Sequence, residues 1–449
     1  MEAISHFFET LGHLIWGPYM LVLLVGTGVY LTIRLVGLQF KMLPYALKQS
    51  FMVHKTGPHE DGDISHFAAL MTALSATIGT GNIAGVATAV VLGGPGAVFW
   101  MWLTAIFGMA TKYGEAVLAV KYRVKDSRGQ MSGGPMYYIE RGMRQKWLAL
   151  AFAAFAVLAS FGIGSSVQSN SVADAMRTSF NVEGWKTGLA LTLFTGLVIL
   201  GGIKSIARVA SIIVPVMAVF YVLGGLVIIL LNLGLLMQAL TLIFTDAFTG
   251  QAAAGGALGT VIRYGVARGV FSNEAGLGSA PIAAAAARTD HPVRQALVSM
   301  TGTFLDTIVV CSITGIVLVM GQLTSVTLTG TGAGLTAQTF NLLLPGIGGW
   351  IVTFGIIFFA YSTILGWCYY GEKCAAYLFG DGAVPYYRVL YVLAVMSGAV
   401  LSLELVWTAS DTFNGLMAVP NLIALLALSG VIVKETKDFK AKRQRKELV

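Results

Sequence analysis

About eleven apolar runs, each roughly twenty residues long, follow one another along this chain of 449 residues. A run of that length is what a helix needs to cross the hydrocarbon of a bilayer. The runs lie near 14–36, 67–92, 97–121, 147–171, 185–203, 207–231, 254–287, 294–321, 347–371, 386–403 and 408–431. Only 11 % of the residues are charged, against roughly 25 % in a soluble domain, so the chain lacks the means to cover a water-facing surface. These features predict an all-α integral membrane protein of about 11 transmembrane helices, with residues 1–449 forming one membrane domain.

Basic residues orient the runs. The tail at 432–449 carries Lys434, Lys437, Lys440, Lys442, Arg443, Arg445 and Lys446 and is expected in the cytoplasm. Alternation then makes the loops near 37–66, 122–146, 204–206, 288–293 and 372–385 cytoplasmic, and with their flanks and the tail they hold 24 of the 29 Lys and Arg. Lys55 is among them. The N-terminus is expected outside, and the whole is expected in the cell (inner) membrane. The net charge of +8 thus reads as topology and lipid contact and not as nucleic-acid binding. The first twenty residues lack a basic segment and a small-residue cleavage site, so no cleaved signal peptide is expected. Cys311, Cys368 and Cys374 have no metal-ligand spacing; Cys311 and Cys368 fall inside apolar runs and are expected as small core residues in place of a disulfide or a metal site.

Two runs are interrupted. The second contains Ser75-Ala76-Thr77-Ile78-Gly79-Thr80-Gly81-Asn82, and the seventh contains Gly269-Val270-Phe271-Ser272-Asn273-Glu274-Ala275-Gly276-Leu277-Gly278. Unwound backbone is tolerable at membrane depth only beside protein or a wet cavity. The interruptions stand five runs apart. With 14–36 as a peripheral helix, residues 67–231 and 254–431 form two five-helix repeats, each opening on a broken helix. Five is odd, so the halves are inverted, a pattern expected of a secondary transporter with its site at the midplane. The competing reading is that glycine-rich stretches only let helices pack tightly.

These stretches carry a family resemblance. Ile78 to Ala87, Gly133-Gly134-Pro135-Met136-Tyr137, Gly269 to Pro281, Asp290-His291-Pro292 and Ala360-Tyr361-Ser362-Thr363 closely resemble the alanine or glycine:cation symporter family, from Trp16-Gly17-Pro18-Tyr19 to Pro420-Asn421. The resemblance implies the leucine-transporter type of fold, sodium as the co-transported cation and a small zwitterionic amino acid, alanine or glycine, as substrate. No other cofactor is implied.

A zwitterion needs donors for its carboxylate and acceptors for its ammonium. Backbone amides of Gly79, Thr80 and Gly81, at the start of a half-helix, suit the carboxylate. Carbonyls near Gly269, Val270 and Phe271 suit the ammonium, and the Phe271 ring can keep the pocket small. Gln168 lies among small polar neighbours; the family implies it as a binding residue, with Asn82 and Asn273, and an interhelical hydrogen bond is its other reading. Trp367 either walls the pocket or anchors at an interface. The expected substrate site is completed by Thr77 and Ser272. By resemblance, sodium is expected on the Ser362 and Thr363 hydroxyls and the carbonyls of Phe359, Ser75 and Ile78, all hard oxygen donors; back-bonding of each hydroxyl to its own helix is the alternative.

Among ionisable residues within or near runs, Glu274 is open to pairing with an amide, to ammonium binding or to gating, and Asp174, Asp306 and Asp411 are candidates for a proton-coupled cycle. Lys112 and Glu115 share a helix face and are expected to neutralise one another. No GxxxxGK[ST] loop indicates a primary pump. The six histidines cluster with no nucleophile, so no enzyme is expected. A channel would need a repeated filter or charge ring, whereas these two breaks differ.

Overall fold

The computed structural model describes residues 2–52, 61–248, 257–324, 330, 332–401, 404–445 and 447. Lys55, Lys446 and the first residues of the seventh run lie outside them. The first run folds as α1 (Glu2–Ile15) and α2 (Pro18–Arg34), joined at Trp16-Gly17. Pro18 opens α2, where its missing N–H has no helical partner to lose. α3 (Leu38–Phe51) follows. The second run is α4 (His66–Thr77), a short turn at Thr80–Asn82, and α5 (Ala84–Gly93); the third is α6 (Ala97–Lys121). A small antiparallel hairpin, β1 (Val124–Lys125) with β2 (Met131–Ser132), leads to α7 (Pro135–Gly142).

α8 (Lys146–Ala159) passes through a π-helical segment, Ser160–Ser166, into α9 (Val167–Phe180). Next come α10 (Gly184–Leu200), α11 (Gly202–Leu231) and α12 (Leu233–Asp246). The seventh run gives α13 (Ala257–Asn273) and the short α14 (Pro281–Ala284). α15 (Pro292–Thr303) and α16 (Ser312–Gln322) flank a second π-helical segment, Phe304–Cys311. α17 (Gly332–Leu343), α18 (Gly348–Phe379), α19 (Val384–Val400), α20 (Glu404–Ala427) and α21 (Ser429–Gln444) complete the order.

Every expected run coincides with one helix or one consecutive pair. Among the described residues, six helices are long and apolar enough to cross a membrane. Two bent pairs pass the same test together, His66–Thr77 with Thr80–Gly93 at 62° and Val406–Ala427 with Ser429–Gln444 at 59°. α6, with Lys112 and Glu115 in its interior, and α10 and α13, with 17 residues each, fall outside that set. The helices α3, α12, α17 and α21 fall between or beyond the expected runs.

α18 is buried over most of its length and packs on α4, α8, α9, α11 and α17. Small residues allow this: a Cβ on Gly366 would stand 2.7 Å from that of Ala76 on α4. Cys311, Cys368 and Cys374 are buried free thiols. On the perimeter, α10, α11 and α19 turn Leu193, Leu197, Ile212, Val216, Val389 and Leu393 outward. A face this apolar is a liability in water and suits lipid tails.

The loops rich in basic residues gather on one face. There Arg123 donates to the Ala285 and Ala287 carbonyls, Lys125 pairs with Asp61 at 2.9 Å, and Lys373 with Asp126 at 3.0 Å. α21 lies on this face too, with Lys121 on Glu435 and the Tyr113 hydroxyl on Thr436.

Candidate functional site

α4 ends at Thr77 because the backbone turns extended at Ile78 and Gly79 before re-coiling at Thr80. The Asn82 Oδ1 accepts the Gly79 N–H at 2.9 Å and closes this turn. That bond takes one of the three amides expected to serve a carboxylate; those of Thr80 and Gly81 remain. Just beneath, the Ser362 hydroxyl stands 3.2 Å from the Ser75 carbonyl and 2.9 Å from that of Phe359. The Thr363 hydroxyl stands 3.4 Å from the Ile78 carbonyl and 2.9 Å from the same Phe359 carbonyl. Two hydroxyls and three carbonyls thus converge at the negative end of the α4 dipole. Both hydroxyls back-bond to their own helix through the Phe359 carbonyl.

The second break lies further along than expected. The Val270 carbonyl accepts the Glu274 N–H at 2.8 Å, so α13 stays regular through Asn273. Irregular backbone begins at Glu274 (φ 57°) and continues through Gly276 (φ 94°) and Gly278 (φ 84°). Left-handed conformations are open to glycine and unusual for glutamate. α6 serves the backbone groups that the break leaves over. Lys112 Nζ donates to the Asn273 carbonyl at 2.7 Å, a cation on a helix C-terminus. Glu115 Oε1 accepts from Gly276 N at 3.0 Å, Gly278 N at 3.2 Å and Asn421 Nδ2 at 2.6 Å. The two side chains therefore hold the break open, and mutual neutralisation is not their principal contact.

A buried polar bridge joins the two breaks. Asp306, on the second π-helical segment, accepts from Asn82 Nδ2 at 2.7 Å, Ser272 Oγ at 2.9 Å and Thr307 Oγ1 at 2.8 Å. Asn273 Nδ2 donates to Thr307 Oγ1 at 3.1 Å. Asn82, Ser272 and Asn273 spend their side chains here. The sequence marks Asp306 as an acidic residue inside a run and a candidate for proton coupling, and gives no sign of Thr307.

Beside the first break is a small cavity with room for about one water. Thr77, Gly79, Thr80, Gly81, Gln168, Phe271 and Trp367 line it, joined by Ala76, Ile163, Glu274, Thr363 and Asn414. Gln168 Nε2 donates to the Ile163 carbonyl at 3.0 Å, while Gln168 Oε1, Thr80 Oγ1 and Asn414 Oδ1 have no partner. Of the two readings of Trp367, the structure shows a buried wall, its Cβ against Gly164. Gly269 and Val270 are packed away from this space, Gly269 against Met101 and Thr104. Asn414 was missed by the sequence reading; an uncharged amide in an apolar run was the available signal.

Thr80 and Phe271 also line a larger cavity of about 740 Å³. Trp16, Asn170, Asp174, Arg263, Arg268, Trp407 and Asp411 line it. The Arg268 guanidinium sits 5.6 Å from the centre of the Phe271 ring.

Residues 1–448 match the sequence profile of the sodium:alanine symporter family. The chain belongs to that family. The sodium/alanine symporter AgcS of Methanococcus maripaludis is 61% identical over 445 residues, covering 98% of each chain. An uncharacterized transporter of Haemophilus influenzae is 56% identical over 97% of this chain and 96% of its own. The probable sodium/glutamine symporter GlnT of Bacillus subtilis is 40% identical over 99% and 92%. Among solved structures, the crystal structure of MhsT in complex with L-phenylalanine superposes with a TM-score of 0.59 at 14% identity, over 83% of this chain and 98% of that one. This likeness extends to the fold alone.

Membership in the sodium:alanine symporter family makes the chain a multi-pass membrane protein that couples amino-acid movement to sodium, and not an enzyme. In this family member Glu115, Asn421 and Tyr138 are linked in series, and Arg388 pairs with Glu372 at 2.8 Å.

Proposed function

We propose that this symporter carries alanine or glycine together with sodium by alternating access. The observation carrying this reading is the adjacency of two groups of atoms. The five oxygens of Ser75, Ile78, Phe359, Ser362 and Thr363 suit a hard cation. The cavity beside them shares Thr363 and holds unpartnered polar atoms. The Thr80 and Gly81 amides would take the substrate carboxylate. Gln168 Oε1 and the Glu274 carboxylate would take the ammonium, and Phe271 and Trp367 would enclose a side chain no larger than methyl. Asn82, Ser272 and Asn273 then act through Asp306, setting the two breaks in register.

The 61% identity to a relative named for alanine favours alanine over the glutamine named for a more distant relative. The positive-inside rule makes the basic face cytoplasmic, with α21 inside and the N-terminus outside. The larger cavity is then the outer vestibule, and the molecule is outward-facing. Residues 67–231 and 254–431 are the inverted halves, with α1 and α2 peripheral, and alternating access rocks one set of helices against the other.

The deciding experiment is uptake of a labelled amino-acid panel into proteoliposomes, with sodium and proton gradients imposed separately. Alanine or glycine uptake driven by sodium alone is the expected result. Uptake driven only by protons, or absent for both amino acids, overturns the reading. Trans-stimulation by unlabelled alanine separates a carrier from a channel.

A further inference from the structure

We propose that Asn414 on α20 contacts the substrate, reading its ammonium group together with Gln168 and setting the preference for an unmodified primary amine. This rests on the reading of the cavity as an amino-acid site. Asn414 is 1 % exposed, lines the cavity, and leaves its Oδ1 without a partner. Leaving a buried amide oxygen unsatisfied costs free energy that a ligand donor would return. Gln168 Oε1 is in the same condition on the same cavity. The substrate carboxylate has the two backbone amides of the first break, so the unpartnered amide oxygens of two residues lining one small space call for a donor-rich group. An α-ammonium, with three N–H bonds, meets that need.

The aim of Asn414 is fixed from both sides of α20. Ser410 packs so closely on Gly162 of the first π-helical segment that a Cβ there would clash with its hydroxyl. A Cβ on Gly415 would stand 2.4 Å from Ile15 on α1, and Trp16 Nε1 donates to the Asp411 carbonyl at 3.0 Å. Asp411, one turn before Asn414, lines the larger cavity. One face of α20 thus runs from the vestibule to the inner site and presents acceptors at both levels.

The test is equilibrium binding of alanine and N-methylalanine to purified full-length protein in sodium. Asn414→Leu keeps the volume and removes the acceptor; Asn414→Asp keeps the oxygens. The Leu variant is expected to lose about ten-fold or more in alanine affinity and to bring the two ligands' affinities together, while the Asp variant stays near wild type. Asn414→Ala, read by the same ratio, replaces the Leu variant if that one does not fold. Unchanged alanine affinity and an unchanged ratio in the folded Leu or Ala variant overturn the assignment. If the wild type prefers another amino acid, the alanine reading falls. The same ratio, measured with that amino acid and its N-methyl form, then decides the role of Asn414.

Discussion

Gly79 and Thr363 meet so closely that a Cβ on the glycine would stand 2.5 Å from the threonine hydroxyl. This contact is where the oxygen cluster and the small cavity share a wall. A methyl there must displace the hydroxyl or the unwound backbone, and neither has slack. Gly79→Ala is therefore expected to abolish sodium-dependent alanine binding while the protein still elutes as a single species in detergent. Retention of wild-type binding would mean that the cluster and the cavity are independent.

Removing the hydroxyls separately tests the cluster itself. Ser362→Ala and Thr363→Val each delete one hard oxygen and preserve packing. Each is expected to raise the sodium concentration for half-maximal uptake about ten-fold or more, since a lost interaction with an ion costs about 1.5–3 kcal/mol. Linkage requires that alanine affinity fall at low sodium and recover when sodium saturates. Sodium dependence that stays wild-type in both variants removes these residues from the ion's path.

The helices were legible because lipid imposes a length and a polarity on each crossing, and the breaks because glycine and polar residues have no cheap place there. What escaped was the direction in which polar side chains point. Asn82, Ser272 and Asn273 carry the chemistry of a binding site, yet Asn82 and Ser272 face Asp306 and Asn273 faces Thr307, where a π-helical turn sets both between the breaks. No local pattern announces such a turn. The spacing of Lys112 and Glu115 suggests a pair of opposite charges, but only the tertiary structure brings Asn273, Gly276 and Gly278 to them.

Glu115 is accordingly expected to matter for stability more than for recognition. Glu115→Ala leaves the Gly276 and Gly278 amides without their acceptor and Asn421 Nδ2 with the Gly276 carbonyl alone; at about 1–3 kcal/mol for each unpaired buried donor, it is expected to give a marked drop in melting temperature in detergent. Glu115→Gln keeps one acceptor oxygen and is expected to lie between the two. A wild-type melting curve for the alanine variant refutes this account of the break.

α21 offers a pH test on the basic face. The Lys442 ammonium and the His291 ring hold the Asp438 carboxyl below its ordinary value of 3.8. A depressed carboxyl stabilises the folded contact above its unfolded pKa and loses that contribution as pH falls through the folded one. The Asp438 contacts are therefore expected to stay constant from about pH 6 to 8 and to loosen only in acid, below the ordinary carboxylate range. A spin-label distance between α21 and α15 should show this, and Asp438→Asn should reproduce the acid distance at neutral pH. A change centred near neutrality that Asp438→Asn leaves intact would assign the sensitivity to another group.

Phe271 separates the small cavity from the large one, so its removal tests whether that partition sets substrate size. The ring lines both spaces and lies against Gly81, where a Cβ would stand 3.1 Å from its edge. Phe271→Ala would merge the small cavity with the vestibule of about 740 Å³. A pocket excludes large side chains by clash more effectively than it excludes small ones by lost contact. The variant is therefore expected to admit leucine in counterflow while alanine affinity falls about ten-fold, the loss of one well-packed apolar contact. If leucine stays excluded and alanine binds as before, substrate size is set elsewhere, and Trp367 on the opposite wall becomes the residue to test.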